Sequence, residues 1–582
     1  MSVLSLATRL ERTVGAAIDR ALPAGSGADP LVRRSAHADF QSNAVLALAR
    51  RHGIAPPDLA RTLAGDLRDS AVADVTVSGP GFLNVTVTDK ALWTQAALRH
   101  ASDRLGVPSP ETGRRTVVDY SAPNIAKEMH VGHLRTTILG DSLARILTHL
   151  GGDVVRQNHL GDWGTQFGML IQYLDEHPGT PWHGRDLPAG ASAVSALDGL
   201  YRAARSEFDA DPGFADRSRA RVVALQTGDE ATISVWRDIV AESERAFRVI
   251  YERLGVLLTA ADSAGESTYN DSLADVAAEL ADTGIAVTSD GALCVFSAEV
   301  TGPDGDPVPL LVRKSDGGYG YDTTDLATIR HRIRELAADR ILYVVDSRQA
   351  LHFRLIFEAA RRAGWLDGGV EPVHVAFGTV LGPDGTPFKT RSGGTVRLAG
   401  LLDEAVDRAR EVAAEKNPEM DPAQLDAIAE QLGVGAVKYA DLSTSRTRDY
   451  VFDAQRMVSL TGDTGVYLQY AHARIRSILA KAAGLTTEVD PSLPLAPAER
   501  RLVLALDEFG CVLAEVAAAL EPHRLCGYLF GLAKAYSEFY ETCPVLTAPD
   551  PLKGNRIVLC ELTARTLHTG LGLLGIAAPS RL

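Results

Sequence analysis

The first region of the chain mixes helical spacing with strict alternation of apolar and polar residues. An amphipathic stretch beginning at Leu4 is followed by alternating residues at Val75–Ser78 and Phe82–Val87. This order predicts a helix followed by strands of a small sheet. The proline-containing segment Val107–Gly113 then has the composition of a linker. We therefore expect residues 1–112 to form a small α+β domain.

The second region has short apolar runs separated by helical spacing. Thr116–Val118, Ile341–Val345 and Val373–Phe377 predict parallel strands joined by helices, that is, a doubly wound α/β sheet. Such a sheet binds its ligand where the strand order reverses. We assign this region to residues 113–400 and expect a helix-rich, charged insertion at about 176–311 that carries no chemistry of its own.

The last region, residues 401–582, has Leu, Ala and Val at three-and-four spacing through Leu574 and predicts helices alone. The sequence therefore predicts an α/β multidomain protein. It consists of a small α+β domain, a Rossmann-like parallel core with an insertion, and an all-α domain.

Charge and cysteine content restrict the partners. Acidic residues outnumber basic ones, 74 to 59, and the net charge of −15 argues against nonspecific binding to nucleic acid or acidic membranes. An RNA partner would have to bind local basic patches.

The five cysteines are odd in number and lack Cys-x-x-Cys spacing, so we expect reduced thiols and no structural metal. With neither a signal core nor a membrane-spanning run, we expect a cytoplasmic protein.

Candidate chemistry lies where the first strand of the core is followed by a helix. The segment between them contains His130, Gly132 and His133. A helix N-terminus favours an anion, glycine permits close approach, and two imidazoles three residues apart can donate to the same phosphate. This arrangement predicts a nucleotide-phosphate clamp, and histidines that merely cap the helix are the alternative.

The segment Ala122–Ile138, Ala-Pro-Asn-Ile-Ala-Lys-Glu-Met-His-Val-Gly-His-Leu-Arg-Thr-Thr-Ile, resembles the ATP-binding signature of class I aminoacyl-tRNA synthetases, in the form found in arginyl-tRNA synthetases. Further stretches match this family in the same order, and together they cover nearly the whole chain. They are Asn158–Gly168, Tyr321–Leu326, Val345–Phe353, Phe388–Gly393 and Tyr467–Arg474.

For ATP, the resemblance implies a second group of residues beside His130, Gly132 and His133. Lys389 and Arg391 lie in a glycine-flanked loop that would close over the β- and γ-phosphates. This loop departs from the general class I signature, in which two lysines flank a Met-Ser or similar pair. In family members with such a loop, a lysine just before the histidine pair takes over a phosphate contact, and here that lysine is Lys127. An ordinary solvated loop is the alternative for Lys389 and Arg391.

For the amino acid, the resemblance implies an acidic pocket that matches the guanidinium fork of arginine. Asp325 takes the gripping position with Tyr321 beside it, and Asp119 is a second candidate carboxylate. Asn124 and Gln349 match positions that hold the α-amino and carboxylate groups. His352 lies close to Gln349 in sequence, and structural hydrogen bonding is an equal alternative for His352 and for Asp119.

For tRNA, the resemblance implies contacts at both ends of the chain. Phe82 and Asn84 of the first domain are candidates for the tRNA elbow, with a buried strand Phe as the alternative. Tyr467, Tyr470 and Arg474 have the stacking and donor groups that unpaired anticodon bases need. Gln469 and His472 belong to the same cluster, and a helix packed in a core is the alternative for all five.

The function that the resemblance implies is that of an arginine–tRNA ligase, and we separately expect a monomer. ATP, with Mg²⁺, and L-arginine would form arginyl-adenylate, from which arginine passes to the 3′ end of its tRNA, and activation itself would require tRNA. One alternative is a class I relative that adenylates another acceptor or uses an arginine analogue. Another is a silent tRNA-binding paralogue, against which the intact His130, His133, Lys127 and Lys389 argue.

Overall fold

The computed structural model describes residues 3–22, 27–183, 193–382, 384–387, 396–485 and 487–582. The chain forms two compact units. The first contains Met1–Pro110, Ser459–Leu573 and Ala577–Leu582, and the second contains Glu111–Val458 and Leu574–Ile576. Each unit is described by itself.

The first unit begins with helices packed on an antiparallel sheet. Its elements are α1 (Leu6–Ala21), β1 (Val32–Arg34), β2 (Phe40–Ser42), α2 (Val45–His52), α3 (Pro56–Asp66), β3 (Val72–Ser78), β4 (Phe82–Val87) and α4 (Asp89–His100). The strand order is β1-β2-β4-β3. The Ser5 side chain caps α1, and residues at helical spacing, from Leu6 to Ile18, are buried on one face of it. This part has the α+β character that the sequence predicts.

The second unit contains a parallel sheet, a helical insertion and three further helices. Its elements are β5 (Arg115–Asp119), α5 (Val131–His149), β6 (Asp153–Gln157), α6 (Thr165–Glu176), α7 (Ala193–Ala210), α8 (Pro212–Gln226), α9 (Glu230–Leu254), α10 (Leu273–Asp282), β7 (Val287–Ser289), β8 (Ala292–Thr301), β9 (Pro307–Arg313), α11 (Tyr321–Arg334), β10 (Arg340–Tyr343), α12 (Ala350–Arg362), β11 (Glu371–His374), β12 (Val380–Leu381), α13 (Leu398–Lys416), α14 (Pro422–Leu442), β13 (Tyr450–Val451) and α15 (Ala454–Met457).

The parallel sheet has the order β11-β10-β5-β6, and every neighbouring pair in it runs parallel. The chain moves from β5 to β6 on one side and returns to β10 on the other side of β5, so the strand order reverses between β5 and β10. Val117, Ile341 and Leu326 are fully buried in the core against this sheet. A ligand site is expected at the carboxyl ends of β5 and β10, and the doubly wound core is confirmed.

The insertion contains more than the helices that its composition predicts. After α7–α10, strands β7, β8 and β9 form an antiparallel sheet. Asp290-Gly291 separates β7 from β8, and Asp304-Gly305 lies between β8 and β9. Such Asp-Gly turns between apolar runs are a strong local signal for hairpins, so the sheet was visible in the sequence although we expected only a helix-rich stretch.

The rest of the first unit is helical, as predicted. Its elements are α16 (Gly465–Lys481), α17 (Pro497–Asp507), α18 (Phe509–Ala519), α19 (His523–Thr542) and α20 (Leu552–Leu573). All five cysteines lie in the described ranges and carry free thiols. Among the helices of the described ranges, none is long and apolar enough to cross a membrane.

Candidate active site

The two histidines cap the first helix of the core with their own side chains. His130 is the N-cap of α5, and its Nδ1 accepts a hydrogen bond from the Gly132 amide at 3.0 Å. The Nδ1 of His133 accepts from the His130 amide at 3.1 Å, and the two ring centroids lie 4.0 Å apart. Capping and ligand binding are therefore compatible, because capping uses only Nδ1 of each ring.

The protonation of these rings follows from the same contacts. Burial, and then the charge of Lys127, lowers the pKa of His130. Burial, and then His130, lowers the pKa of His133 to about 3. Both rings are thus neutral near pH 7, and an imidazole that accepts at Nδ1 carries its proton on Nε2. Each ring keeps one N–H donor for an anion.

Two glycines permit close approaches around this helix start. A Cβ atom on Gly132 would lie 2.7 Å from Cε1 of His130, and one on Gly161 would lie 2.4 Å from Oδ1 of Asn124. Neither contact is tolerated between real atoms. Gly132 therefore lets the His130 ring fold back over the helix, and Gly161 lets Asn124 pair with the segment that follows β6.

The loop between β5 and α5 is held in an unusual backbone conformation. Ser121, Ala122 and Ala126 have φ angles of 74°, 48° and 60°. Their amides donate to Oγ1 of Thr136, Oδ1 of Asn158 and Oγ of Ser243, each at 3.0 Å. Such conformations persist where the surroundings fix them, and they cluster at functional sites. The loop is accordingly held in place before any ligand binds.

The sequence candidates for ATP are only partly covered by the structure. Lys127 is half-buried, and its charge acts on His130. Lys389 and Arg391 lie outside the described residues. The segment that follows them, residues 396–398, is hydrogen-bonded to the signature. The amide of Val131 donates to the carbonyl of Val396, and the amide of Leu398 donates to the carbonyl of Met129.

A cluster of carboxylates and imidazoles surrounds Asp325. His352 Nε2 lies 2.6 Å from Asp325 Oδ2, and its Nδ1 lies 3.4 Å from Asp322 Oδ1. Burial lowers the pKa of His352, but the hydrogen bonds to Asp322 and Asp325 outweigh it and raise the pKa to about 9. His159 lies 4.0 Å from the other oxygen of Asp325. At neutral pH a protonated His352 thus orients Asp325.

Glu266 is a further member of this cluster that the sequence reasoning missed. It begins the 3₁₀ helix Glu266–Ser272, beside Asp162, whose carboxylate accepts from the amide and hydroxyl of Ser267. Burial, and then the charges of Asp162 and Asp325, raises the pKa of Glu266 to about 7. A carboxyl with such a pKa, close to other carboxylates, is a candidate for binding a cation.

The other arginine candidates lie at, or in the loop before, helices that begin at one edge of the sheet. Tyr321 is the first residue of α11, with 68% of its surface exposed, and its ring lies 5.4 Å from that of His352. Gln349 immediately precedes α12 and is exposed, as is Asn124. Helices α5 and α12 follow the carboxyl ends of β5 and β10, and α11 leads into the amino end of β10. All three helices therefore begin at the carboxyl edge of the sheet.

Asp119 has a different environment from the other candidates. Only 6% of its surface is exposed, and its Oδ2 accepts from Nη2 of Arg332 at 2.8 Å. The fully buried Arg332 also donates to Gln157. Asp119 thus already holds a guanidinium that belongs to the chain itself.

The candidates for the tRNA elbow lie on β4 in the first unit. Asn84 is 5% exposed, and its amide is bonded to Gln41 at 2.7 Å and to Ser78 at 2.8 Å. Phe82 is half-buried at the start of the strand. Of these two side chains, Phe82 is the one with enough exposed surface to contact an unpaired nucleotide base.

The anticodon candidates divide between two faces of α16. Tyr470 and Arg474 are exposed, and the Arg474 guanidinium lies 4.3 Å from the ring centroid of Tyr540 on α19, an aromatic residue that we had not singled out. Tyr467 is half-buried against Phe530. By contrast, Gln469 and His472 are buried and bonded to the carbonyls of Ala577 and Pro579. Tyr470 and Arg474 therefore lie on the exposed face of α16, with Tyr540 against Arg474.

A doubly wound parallel sheet whose first helix begins with paired histidines is typical of the class I aminoacyl-tRNA synthetases. Models of three protein families match the chain. The catalytic domain of class I (R) tRNA synthetases matches residues 95–454, the DALR anticodon binding domain matches 468–582, and the arginyl-tRNA synthetase N-terminal domain matches 8–87.

Full-length relatives agree with these matches. The chain is 67% identical over 584 residues to the arginine–tRNA ligase of Frankia casuarinae, covering 100% of this chain and 99% of that protein. Among solved structures it is similar to the arginyl-tRNA synthetase of Plasmodium falciparum, with a TM-score of 0.85, 27% identity and full coverage of both chains. The Thermus thermophilus enzyme gives a TM-score of 0.83 and 27% identity, covering 99% of this chain and 100% of its own. The chain therefore belongs to the arginyl-tRNA synthetase family.

Proposed function

We propose that this protein is an arginine–tRNA ligase. It joins L-arginine to the 3′ end of its tRNA, with ATP converted to AMP and pyrophosphate. The observation that carries the proposal is the pairing of two neutral, Nε2-donating histidines at a helix start with the acidic cluster around Asp325 at the same edge of the sheet. The first suits a nucleotide phosphate and the second suits a guanidinium.

The first chemical step joins two anions. A carboxylate oxygen of arginine attacks the α-phosphorus of ATP, the bond to the β-phosphate oxygen breaks, and pyrophosphate leaves with the bonding electrons. The Nε2–H groups of His130 and His133 donate to the α-phosphate oxygens as charge grows on them, and Lys127 adds positive charge beside them. We propose that Lys389 and Arg391 contact the β- and γ-phosphates.

Selection of arginine falls to the acidic cluster. Asp325, held by His352, and Glu266 would face the guanidinium, and Tyr321 would cover it at the mouth of the pocket. Paired, charge-assisted hydrogen bonds exclude lysine by geometry. We propose that Asn124, exposed in the loop before α5, and Gln349, exposed at the start of α12, hold the α-amino and carboxylate groups. Because Asp119 is engaged with Arg332, its proposed part is to keep the strand end in place.

Mg²⁺ would enter with ATP. In the described part of the chain, no group of three or more His, Cys, Asp or Glu side chains is arranged to hold a metal ion, and Mg²⁺ prefers a set of oxygen ligands. The ion would therefore be held mainly by the phosphates and water, and it would neutralise charge on the leaving pyrophosphate.

In the second step the terminal hydroxyl of tRNA attacks the carbonyl carbon of arginyl-adenylate, and AMP leaves. We propose that residues 1–112, through Phe82 with Asn84 supporting its strand, contact the tRNA elbow. Residues 401–582 would read the anticodon through Tyr467, Tyr470 and Arg474. The proposed divisions at 112 and 400, a monomer in solution and action in the cytoplasm complete this proposal.

The decisive experiment is aminoacylation of purified tRNA with each amino acid in turn. Labelled arginine should enter tRNA, and the other amino acids should not. Formation of a labelled adenylate without transfer to tRNA would indicate a relative that uses another acceptor. Binding of tRNA without any ATP consumption would indicate a silent paralogue.

A further inference from the structure

The lysine of the signature is in contact with a helix of the insertion. Nζ of Lys127 lies 4.5 Å from the ring centroid of Tyr201, which belongs to α7. At this distance a cation is attracted to the face of an aromatic ring. The ammonium is also close enough to His130 to lower its pKa, after burial. One positive charge is therefore set between the insertion and the histidine pair.

The residue next to Lys127 is bound to the same helix. Ser195 of α7 donates to Oε1 of Glu128 at 2.5 Å, and the other oxygen of Glu128 pairs with Arg397. The backbone of Arg397 in turn forms an isolated antiparallel β-bridge with the backbone of His130. Two consecutive residues of the signature thus contact α7, in an insertion to which the sequence assigned no chemistry.

We propose that Tyr201 is a positioning residue for ATP, whose ring holds the Lys127 ammonium in place beside the histidine pair. This inference rests on the proposed function. A lysine side chain has four rotatable bonds and loses much conformational freedom when it binds a phosphate. The ring restrains it before ATP arrives, so that less freedom is lost on binding. A contact of this kind corresponds to roughly a 2- to 30-fold effect on a binding constant.

The role requires the aromatic face and not the hydroxyl. Tyr201→Phe should therefore keep a wild-type KM for ATP. Tyr201→Leu should raise that KM about 5- to 20-fold and leave the KM for arginine unchanged. The matched control is Phe208→Leu on the same helix, because Phe208 also lies against cations, Arg205 and Arg219, but not against Lys127. This control should leave both values unchanged.

A further variant keeps the test decisive if Tyr201→Leu does not fold, and a double variant adds a second test if it does. Pentafluorophenylalanine at position 201 preserves the ring shape but reverses the charge of its face, so it should raise the KM for ATP as leucine does. The double variant Lys127→Met, Tyr201→Leu should be no worse than Lys127→Met alone, because residues acting through one contact are not additive.

The measurement is ATP–pyrophosphate exchange with arginine and tRNA present, together with thermal unfolding of each variant. A wild-type KM for ATP in Tyr201→Leu or in the pentafluoro variant would overturn the inference. Equal increases in the KM values for ATP and arginine, or additive effects in the double variant, would overturn it too. If the unaltered chain neither exchanges nor charges tRNA with arginine, the proposed function itself fails, which is a separate outcome.

Discussion

His352 donates from Nε2 to Oδ2 of Asp325 across 2.6 Å, so the carboxylate proposed to grip arginine is itself held by an imidazolium. The other oxygen of Asp325 lies 4.0 Å from His159. A carboxylate with a fixed plane is the partner that a guanidinium fork needs for two parallel hydrogen bonds. In the proposed function, this fixed plane is what would give the acidic cluster its selectivity for arginine.

Changing Asp325 to Asn should weaken arginine binding far more than ATP binding. The amide keeps the shape of the carboxylate but loses the charge that the guanidinium needs. We expect the KM for arginine to rise roughly 10- to 100-fold, while the KM for ATP stays within about twofold. Steady-state aminoacylation measures both values, with Asp304→Asn in an exposed turn as the control. Equal increases in the two values would argue against the guanidinium role.

The stabilisation that His352 provides should depend on pH. Its pKa is about 9 in the folded chain, against about 6.5 in an unfolded chain. The ion pair's contribution to the free energy of unfolding amounts to roughly 3 kcal/mol. It is fully present below about pH 6.5 and is lost as the pH rises through about 9. Urea unfolding should give His352→Gln a free energy of unfolding well below that of the unaltered chain at pH 6 and close to it at pH 10. A gap that is constant with pH would contradict the ion pair.

Glu266 should make arginine binding depend on pH near neutrality. Its pKa of about 7 means that half of the molecules carry a neutral Glu266 at pH 7. A guanidinium favours the ionised carboxyl, so binding expels a proton. The KM for arginine should fall by up to about tenfold per pH unit as the pH rises from 6 to 7, and level off above 8. Glu266→Gln should remove this slope, and a slope that survives in the variant would assign it to another group.

Local patterns in the sequence predicted the sheet, the capped helix and the histidine pair, because each depends on residues close together in the chain. A short β-branched run marks β5 and helical spacing marks α5, and His130 bonds to Gly132 two residues away. Lys389 and Arg391 stay predictions, since both lie outside the described residues.

Contacts between distant residues could not be predicted in this way. Arg332 lies 213 positions from Asp119, and nothing near either residue indicates that they pair. Glu266 was missed for the same reason, since its pKa depends on burial and then on Asp162 and Asp325, which only the fold brings near. A carboxylate in an otherwise uninformative segment gives no sign of its neighbours until the fold is known.

Gly132→Ala should impair activation through one atom. The added Cβ would lie 2.7 Å from Cε1 and 2.9 Å from Nδ1 of His130. The ring must then move, and its Nε2–H no longer points where the phosphate binds. Displacing a positioned group by about 1 Å costs up to about 100-fold in rate, so kcat for exchange should fall by roughly 10- to 100-fold. Gly65→Ala in α3, where a Cβ meets no atom within 4 Å, is the control. Unchanged exchange in Gly132→Ala would show that the His130 ring is not needed in this position.

Activation of arginine should require tRNA. The resemblance to the family implies it, and a physical basis is that binding energy from the correct tRNA completes the catalytic site. Without tRNA, we expect ATP–pyrophosphate exchange at roughly 1% or less of the full rate. Arginine tRNA whose terminal ribose has been oxidised cannot accept arginine, yet it should restore exchange, because its part in this step is to complete the site. Noncognate tRNA is the control. Full exchange in the absence of any tRNA would contradict the requirement, and restoration by intact but not by oxidised tRNA would mean that the terminal hydroxyls themselves take part in activation.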